Sequence, residues 1–322
     1  MQGPAADIKA VYRRFRGRQL AITFIAYAVY YFVRKNLSVL MPLMEKDLHI
    51  KKSELGAFLT AHDVLYGTSK FANGYLGDRS NARTFLAFGL LVSGLLNLTF
   101  GFSGTVMIMG LLWCANGWFQ GIGFPPCARV LSHWFAPSER GTMWGIWNAS
   151  HMVGAAGILV WGGWLGQTYG WRWGFFGPAL VAIATSLFIF LTLKDTPAEL
   201  GLPPVEQQFG EFADAARPVE APKQDDAEFK AFLKRRVFQN PYIWLICGAN
   251  FFVYVVRISF LNWAPTYLHE TKGYSLAAAG GLTASYEIAG LVGSIIAGIL
   301  TDKFFRNRRA PMCVIYMLGT AV

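Results

Sequence analysis

Two arginines lie inside apolar segments that are long enough to cross a lipid bilayer. Arg34 belongs to YYFVRKN, which follows IAYAV and precedes LSVLMPLM, and Arg257 belongs to VYVVRISFLNWAPTYL. A cation at the bilayer centre costs about 2.5 to 3.5 kcal/mol on insertion scales, and arginine cannot escape that cost by losing its proton. A guanidinium presents a planar fork of donors that matches the oxygens of phosphate or carboxylate. The two arginines therefore predict an anion-binding site.

The residues around each arginine share a helical spacing. Tyr27, Tyr31 and Arg34 are separated by four and three residues, which places them on one helix face. Tyr254 precedes Arg257 by three residues, as Tyr31 precedes Arg34. Because lipid cannot solvate these side chains, both faces are predicted to look into a helix bundle, with the arginines facing each other across a central cavity.

Internal ion pairs are the competing interpretation of the two arginines. The carboxylates available inside the apolar segments are Asp63, Glu287 and Glu54, which are fewer than the five cations assigned to those segments. Intramembrane charges usually serve function rather than structure. We therefore favour two unpaired arginines in a cavity of net positive charge.

Two further polar faces could line the same cavity. Tyr66 and Lys70 form an i, i+4 pair, although an ion pair between Lys70 and Asp63 is an equally open interpretation. Asn148 and His151 also share a helix face, and there His151 could donate a hydrogen bond to phosphate. A histidine that only packs and hydrogen-bonds inside the bundle is the alternative.

The sequence indicates no other chemistry. Four cysteines are scattered through apolar segments without the spacing of a metal site: Cys114, Cys127, Cys247 and Cys313. No catalytic triad, metal-binding cluster or phosphate-binding loop is recognisable. The sequence therefore predicts a protein that is not an enzyme and that needs neither metal nor cofactor.

The elements that position these residues are predicted to be membrane-spanning helices. The chain is 54% hydrophobic and 15% charged, whereas soluble domains average about 45 to 50% and about 25%. Each apolar run reaches or approaches the roughly 20 residues that span a bilayer. The first is too long for a cleaved signal peptide. We predict an all-α membrane protein with at most eight complete spans: Leu20 to Leu43, Leu55 to Leu76, Thr84 to Phe102, Val106 to Val130, Thr142 to Leu165, Gly174 to Leu193, Tyr242 to Leu268 and Leu276 to Leu300.

The distribution of basic residues predicts the orientation of these spans. With a cytoplasmic N-terminus, the cytoplasmic segments hold 19 Lys and Arg residues and the opposite segments hold five. This asymmetry follows the positive-inside rule. The net charge of +10 therefore indicates membrane topology and requires no nucleic-acid partner.

An internal repeat relates the first and seventh spans. Three residues recur at a constant separation of 223 residues: Tyr31, Arg34 and Pro42 match Tyr254, Arg257 and Pro265. Parallel repeats joined by a linker are typical of secondary transporters, with the binding site between the halves. Lys35 aligns with Ile258 and is therefore a secondary candidate for the site.

The repeat also predicts the domain organisation. We assign 1–193 to an N-terminal half of six spans, 194–240 to a charged, proline-containing cytoplasmic linker, and 241–322 to a partial second half with spans seven, eight and the start of nine. Because this second half is much shorter than the first, we expect it to be truncated.

A second repeated element lies at the predicted cytoplasmic ends of spans two and eight. GYLGDR, from Gly74, recurs as GILTDK at a separation of 224 residues. Its aspartates can accept from a helix N-terminus or pair with the following cation. We expect a conformational latch that breaks when the halves rock, formed by Asp78, Arg79, Asp302 and Lys303.

These motifs resemble those of a known family. GYLGDRSNAR is similar to the loop signature of the major facilitator superfamily. YYFVRKN, GWFQGIGFPPCAR, ERGTMWGIWNASH, DTPAELGLPP and VYVVRISFLNWAPTYL together resemble the bacterial organophosphate:phosphate antiporters, and the likeness extends from about Arg14 onward. The segments LGLPP and WAPTYL look most like those of the glycerol-3-phosphate transporters.

The resemblance implies a fold and a site. The fold is that of the major facilitators, with two pseudosymmetric six-helix halves. Arg34 and Arg257 would be paired phosphate ligands and His151 a third. Positions that match the family's translocation path are Tyr27, Tyr31, Lys35, Tyr66, Lys70, Asn148 and Tyr254. One departure concerns the residue five positions after the second arginine, where glycerol-phosphate carriers have aspartate and this chain has Asn262.

The implied activity is exchange of inorganic phosphate for an organophosphate by alternating access. Glycerol-3-phosphate is the first candidate substrate. The alternatives are a hexose-6-phosphate:phosphate antiporter and a sugar-phosphate sensor that does not transport, and a carrier of other anions such as carboxylates is a third possibility. The expected setting is a monomer in the bacterial inner membrane.

Overall fold

The structure, a computed structural model, describes residues 4–205, 235, 238–304 and 309–321. Within these ranges the regular elements are helices, without a strand. Most of the predicted linker, 206–234 with 236 and 237, lies outside the described residues. The helices of the first half are α1 Pro4–Leu48, α2 Lys52–Arg79, α3 Ala82–Phe102, α4 Val106–Gln120, α5 Phe124–Trp134, α6 Pro137–Tyr169 and α7 Trp173–Thr192.

A short 3-10 helix, Pro197–Leu200, follows α7. The remaining helices are α8 Pro241–Glu270, α9 Leu276–Phe304 and α10 Arg309–Ala321. Local capping fixes two of the helix starts. Asn81 accepts from the backbone of Thr84 before α3, and Asn240 accepts from the backbone of Tyr242 before α8, so each side chain satisfies one free donor of its helix.

The predicted fourth span is divided into two helices. It was expected to run from Val106 to Val130, but α4 ends at Gln120 and α5 begins at Phe124. Pro125 and Pro126 provide the physical reason, because proline has no backbone N–H to continue a helix through its first turn. The other predicted spans each coincide with a helix.

Helix packing brings the two halves into contact. α1 packs on α6 and α7, α3 on α7, α2 on α4, and α9 on α6, while α8 contacts α1 and α9. Small residues allow the close approach of α6 and α9: a Cβ on Gly163 would lie 3.2 Å from the carbonyl oxygen of Leu276. The interface therefore joins residues that are more than a hundred positions apart.

By length and hydropathy, three helices of the described part are able to cross a membrane: Ala82–Phe102, Trp173–Thr192 and Pro241–Glu270. Helices α1 and α2 carry Arg34, Lys35, Asp63 and Lys70 within their lengths and are less apolar for that reason. Outward-facing apolar side chains, among them Phe71, suit contact with lipid.

Candidate anion-binding site

A cavity of about 170 Å³ lies between α1, α2, α6, α8 and α9 and the start of α5. Its walls contain every residue predicted for the binding site. They are Tyr27, Tyr31, Arg34, Lys35, Tyr66, Lys70, Asn148, His151, Tyr254 and Arg257. The residues that the sequence assigns to the site therefore lie together around one cavity in the fold. Their role as ligands stays a prediction.

Arg34 enters the cavity between two tyrosines. Its guanidinium carbon lies 3.7 Å from the ring centre of Tyr66 and 5.1 Å from that of Tyr31. The Nε atom is buried without a hydrogen-bond partner. Among the described residues, no carboxylate lies within ion-pair distance of this guanidinium. Arg34 is therefore a half-buried cation with aromatic neighbours and a free donor at Nε.

Arg257 has a different environment, which corrects the expectation of two unpaired arginines. Its Nη2 lies 3.1 Å from Oε2 and 3.3 Å from Oε1 of Glu287, a side chain that is 2% exposed. The same nitrogen lies 3.2 Å from Nε2 of His151, which accepts in this arrangement. Glu287 is one helix away in sequence order, and its carboxylate already neutralises this second arginine.

The two lysines of the site also have distinct partners. Lys35 is 8% exposed and donates through Nζ to Oδ1 of Asn262 at 2.9 Å, so it links α1 to α8. Lys70 has its Nζ 4.5 Å from the ring centre of Tyr66 and makes no ion pair with a described residue. The alternative Lys70 to Asp63 pair does not form.

Asp63 instead bonds to its sequence neighbour. Its Oδ1 lies 3.2 Å from Nδ1 of His62, a residue that is 2% exposed. Asp63 lines a second cavity of about 580 Å³ between α2 and α8, which shares Tyr254 and Ile258 with the first. This carboxylate is therefore close to the site without lining it.

The charge of the cavity wall is positive. Four cations line it, and they are Arg34, Lys35, Lys70 and Arg257, against one carboxylate, Glu287. Low-dielectric walls strengthen the field of such a cluster and concentrate anions within it. The arrangement can bind and orient an anion, and it offers no nucleophile paired with a base.

Five lining residues were not among the sequence-predicted ligands: Phe124, Trp147, Ile258, Leu261 and Glu287. Glu287 had a recognisable signal, because it is a carboxylate within an apolar segment. The four apolar residues had none, since nothing in their spacing distinguishes a cavity wall from ordinary helix packing. Trp147 and Phe124 contact Tyr27 through their rings, at centroid distances of 4.7 Å and 6.5 Å.

The predicted latch residues form contacts other than those expected. The backbone carbonyl of Asp78 accepts from Nη1 of Arg129 at 2.7 Å, while Arg79 stacks 4.0 Å from the ring centre of Tyr75. Pairing of Asp78 with Arg79, one of the two contacts considered for the latch, is not found among the ion pairs of the described residues, because the arginine side chain turns toward an aromatic ring; the latch itself stays a prediction. Asp302 and Lys303 lie in the last turn of α9, and their side chains are outside the described residues.

Asp195 is the carboxylate that organises this end of the bundle, and sequence reasoning missed it. Its Oδ1 lies 3.2 Å from Nε of Arg129, and its Oδ2 accepts from the backbone N–H of Ala82 at 3.1 Å. The side chain is 4% exposed. Asp195 thus ties α5 to the positive N-terminus of α3.

Comparison with known proteins places these features in context. The family model described as Major Facilitator Superfamily matches residues 23–322. The "Probable hexose phosphate transport protein" of Chlamydia pneumoniae is 38% identical over 97% of this chain and 70% of its own length. The "Glycerol-3-phosphate transporter" of Bacillus subtilis is 41% identical over 98% of this chain and 72% of its own length.

A solved structure supports the fold alone. The bacterial homolog of the human lysosomal transporter Spinster, inward-facing and unoccupied, superimposes with a TM-score of 0.73 at 17% sequence identity. The match covers 91% of this chain and 64% of that chain. This chain therefore spans less than two thirds of the solved structure and about seven tenths of the curated relatives.

Proposed function

This chain belongs to the Major Facilitator Superfamily and, within it, to the organophosphate:phosphate antiporters, and we propose that it exchanges inorganic phosphate for an organophosphate, with glycerol-3-phosphate as the first candidate. The observation that carries this proposal is Arg34. It is a half-buried guanidinium in a cavity, with its Nε buried and free of a hydrogen-bond partner, and without a carboxylate partner among the described residues.

The charges around the cavity favour a phosphate dianion. Four lining cations, less the carboxylates of Glu287 and of nearby Asp63, leave a net charge of +2. A phosphate monoester has a second pKa of about 6 and is mostly a dianion at pH 7. The Arg34 fork can grip two phosphate oxygens, and Lys70 can supply a point charge from α2.

Arg257 would join the site by exchanging one anion for another. At present Glu287 occupies its Nη2, and His151 accepts from the same nitrogen. An entering phosphate can take the place of the carboxylate, since both present oxygen acceptors to the same fork. Glu287 thus neutralises Arg257, whereas Arg34 has no carboxylate partner among the described residues.

Exchange follows from the unpaired cation. The occluded, empty carrier would bury Arg34 without a counter-ion, and this raises its free energy relative to the phosphate-bound carrier. The halves 1–193 and 241–322 both contribute lining residues, so rocking of one against the other would move the site between the two sides of the membrane. We place the protein as a monomer in the bacterial inner membrane with a cytoplasmic N-terminus.

Hexose-6-phosphate is the second candidate substrate, which the Chlamydia relative favours. The test is competition against labelled phosphate in proteoliposomes that carry this chain, using unlabelled phosphate, glycerol-3-phosphate, glucose-6-phosphate and a dicarboxylate. Strongest competition by glycerol-3-phosphate supports the proposal, and strongest competition by glucose-6-phosphate supports the alternative. Binding with negligible counterflow would identify a sensor, whereas preferential competition by the dicarboxylate would refute phosphate recognition.

A further inference from the structure

Helix α1 is kinked next to the arginine of the site. Val33 has φ −94° and ψ 15°, which departs from helical geometry, and Arg34 follows it directly. Pro42, the proline inside α1 beyond its first residue, lies nine residues further on and removes a hydrogen bond to a different turn. Sharp kinks without a proline arise where another side chain inserts into the backbone hydrogen-bond ladder.

Two side chains make such an insertion at Val33. The backbone carbonyl of Val33 accepts from Nδ2 of Asn97 at 2.9 Å and from Nδ2 of Asn116 at 2.8 Å. Asn97 belongs to α3 and Asn116 to α4, so two neighbouring helices hold the same carbonyl of α1. Val33 and Asn97 are fully buried, and Asn116 is 1% exposed.

A third amide fixes the orientation of this pair. Asn36 donates through Nδ2 to Oδ1 of Asn97 at 3.0 Å and to the carbonyl of Gly174 at 3.1 Å. With its oxygen engaged in this way, Asn97 must direct its Nδ2 toward Val33. Asn36 lies two residues after Arg34 on α1. The side chain of Asn36 contacts the amide of Asn97, whereas the side chain of Arg34 lines the cavity.

From these contacts we propose that Asn97 and Asn116 are positioning residues for the anion site, because they hold the kink at Val33 that directs Arg34 into the cavity. Neither amide lines the cavity. This inference rests on the proposed function, since it assumes that the anion binds at Arg34. A misplacement of about 1 Å can slow a reaction about a hundredfold, and the alignment of a guanidinium fork with phosphate oxygens is likewise directional, so even a partial release of the kink is expected to weaken phosphate binding.

The test removes one donor and keeps the other. Asn116→Leu is close to isosteric and deletes an amide, while Asn97 still gives the Val33 carbonyl one partner, so α1 is expected to remain folded. Asn116→Gln restores an amide donor at the same position. Asn73→Leu is the matched control, because Asn73 is 3% exposed and donates within its own helix to Ser69 Oγ.

Two measurements on the purified full chain in nanodiscs test the positioning role of the two amides. Calorimetry with inorganic phosphate gives the dissociation constant, and the ¹³C carbonyl resonance of Val33 reports the hydrogen bonds by which the two amides hold its carbonyl. We expect Asn116→Leu to shift that resonance and weaken phosphate binding about tenfold or more, Asn116→Gln to recover part of both, and Asn73→Leu to change neither.

Distinct outcomes separate this inference from the proposed function. An unchanged Val33 resonance or unchanged phosphate affinity in Asn116→Leu would overturn the positioning role, and so would equal weakening in Asn73→Leu. A shifted resonance in a protein whose wild type binds no phosphate would refute the proposed function while it supports the hold of the amides on Val33.

Discussion

Replacing Arg34 by lysine is the most direct test of the site. The substitution keeps the positive charge, so it separates the geometry of the guanidinium from its charge. Lysine cannot present two parallel N–H donors, and it loses the planar stack that places the guanidinium carbon 3.7 Å from the ring centre of Tyr66. We expect phosphate exchange to collapse even though the net charge of the cavity is unchanged.

The magnitude follows from the contact that lysine cannot make. One hydrogen bond between charged groups contributes about 1.5 to 3 kcal/mol, and each 1.4 kcal/mol changes an equilibrium constant tenfold. Loss of one such bond therefore weakens phosphate binding roughly 10- to 100-fold. Isothermal titration of the purified Arg34→Lys protein measures this directly, and counterflow of labelled phosphate in proteoliposomes measures the transport defect.

A matched control is available at Arg172, just before the start of α7. Arg172 lies outside the cavity, has a side chain that is 43% exposed and pairs with Asp47 at 3.2 Å, so Arg172→Lys is expected to bind phosphate as the wild type does. If Arg34→Lys binds phosphate within about threefold of the wild type and retains exchange, the reasoning from the guanidinium fork is refuted.

Three further substitutions test the charges around the site. Glu287→Gln leaves Arg257 without its carboxylate, and because the arginine side chain is 27% exposed we expect a loss below the about 3 to 5 kcal/mol of a fully buried pair. The melting temperature is expected to fall, and phosphate is expected to restore it more strongly than in the wild type. Asn262→Asp places a carboxylate on Lys35, 2.9 Å from its Nζ, and calorimetry is expected to show weaker phosphate binding because the cavity loses a unit of positive charge. Asp195→Asn removes a charged acceptor at the α3 N-terminus, and thermal unfolding is expected to show a loss of about 1.5 to 3 kcal/mol while phosphate affinity stays unchanged.

The helical spans and the polar faces of their helices could be predicted from local sequence. An α-helix places residues three and four apart on one side, so Tyr27, Tyr31 and Arg34 had to share a face wherever α1 packed. Burial of that face followed from the cost of exposing arginine to lipid. The repeat at 223 residues then linked Arg34 to Arg257 without any knowledge of contacts.

The partner of each charge was decided by the tertiary structure. Arg257 and Arg34 are equivalent in the repeat, yet within the described part of the chain Arg257 meets a carboxylate and Arg34 does not, because α9 brings Glu287 to α8. Lys35 reaches Asn262 across 227 positions of sequence, and this contact depends on how α1 and α8 pack. Such pairings cannot be read from spacing, which fixes directions within one helix and leaves the distances between helices open.

The kink at Val33 likewise depends on tertiary structure and could not be predicted from local sequence. Nothing in YYFVRKN signals it, since valine is neither proline nor glycine. It arises because amides from α3 and α4 converge on one carbonyl of α1. The sequence by itself determined which polar and charged residues face the centre of the bundle, because their helical spacing and the cost of exposing them to lipid fix that face. The packing of separate helices decided which apolar residues join them, which cation lacks a carboxylate partner among the described residues, and where its side chain points.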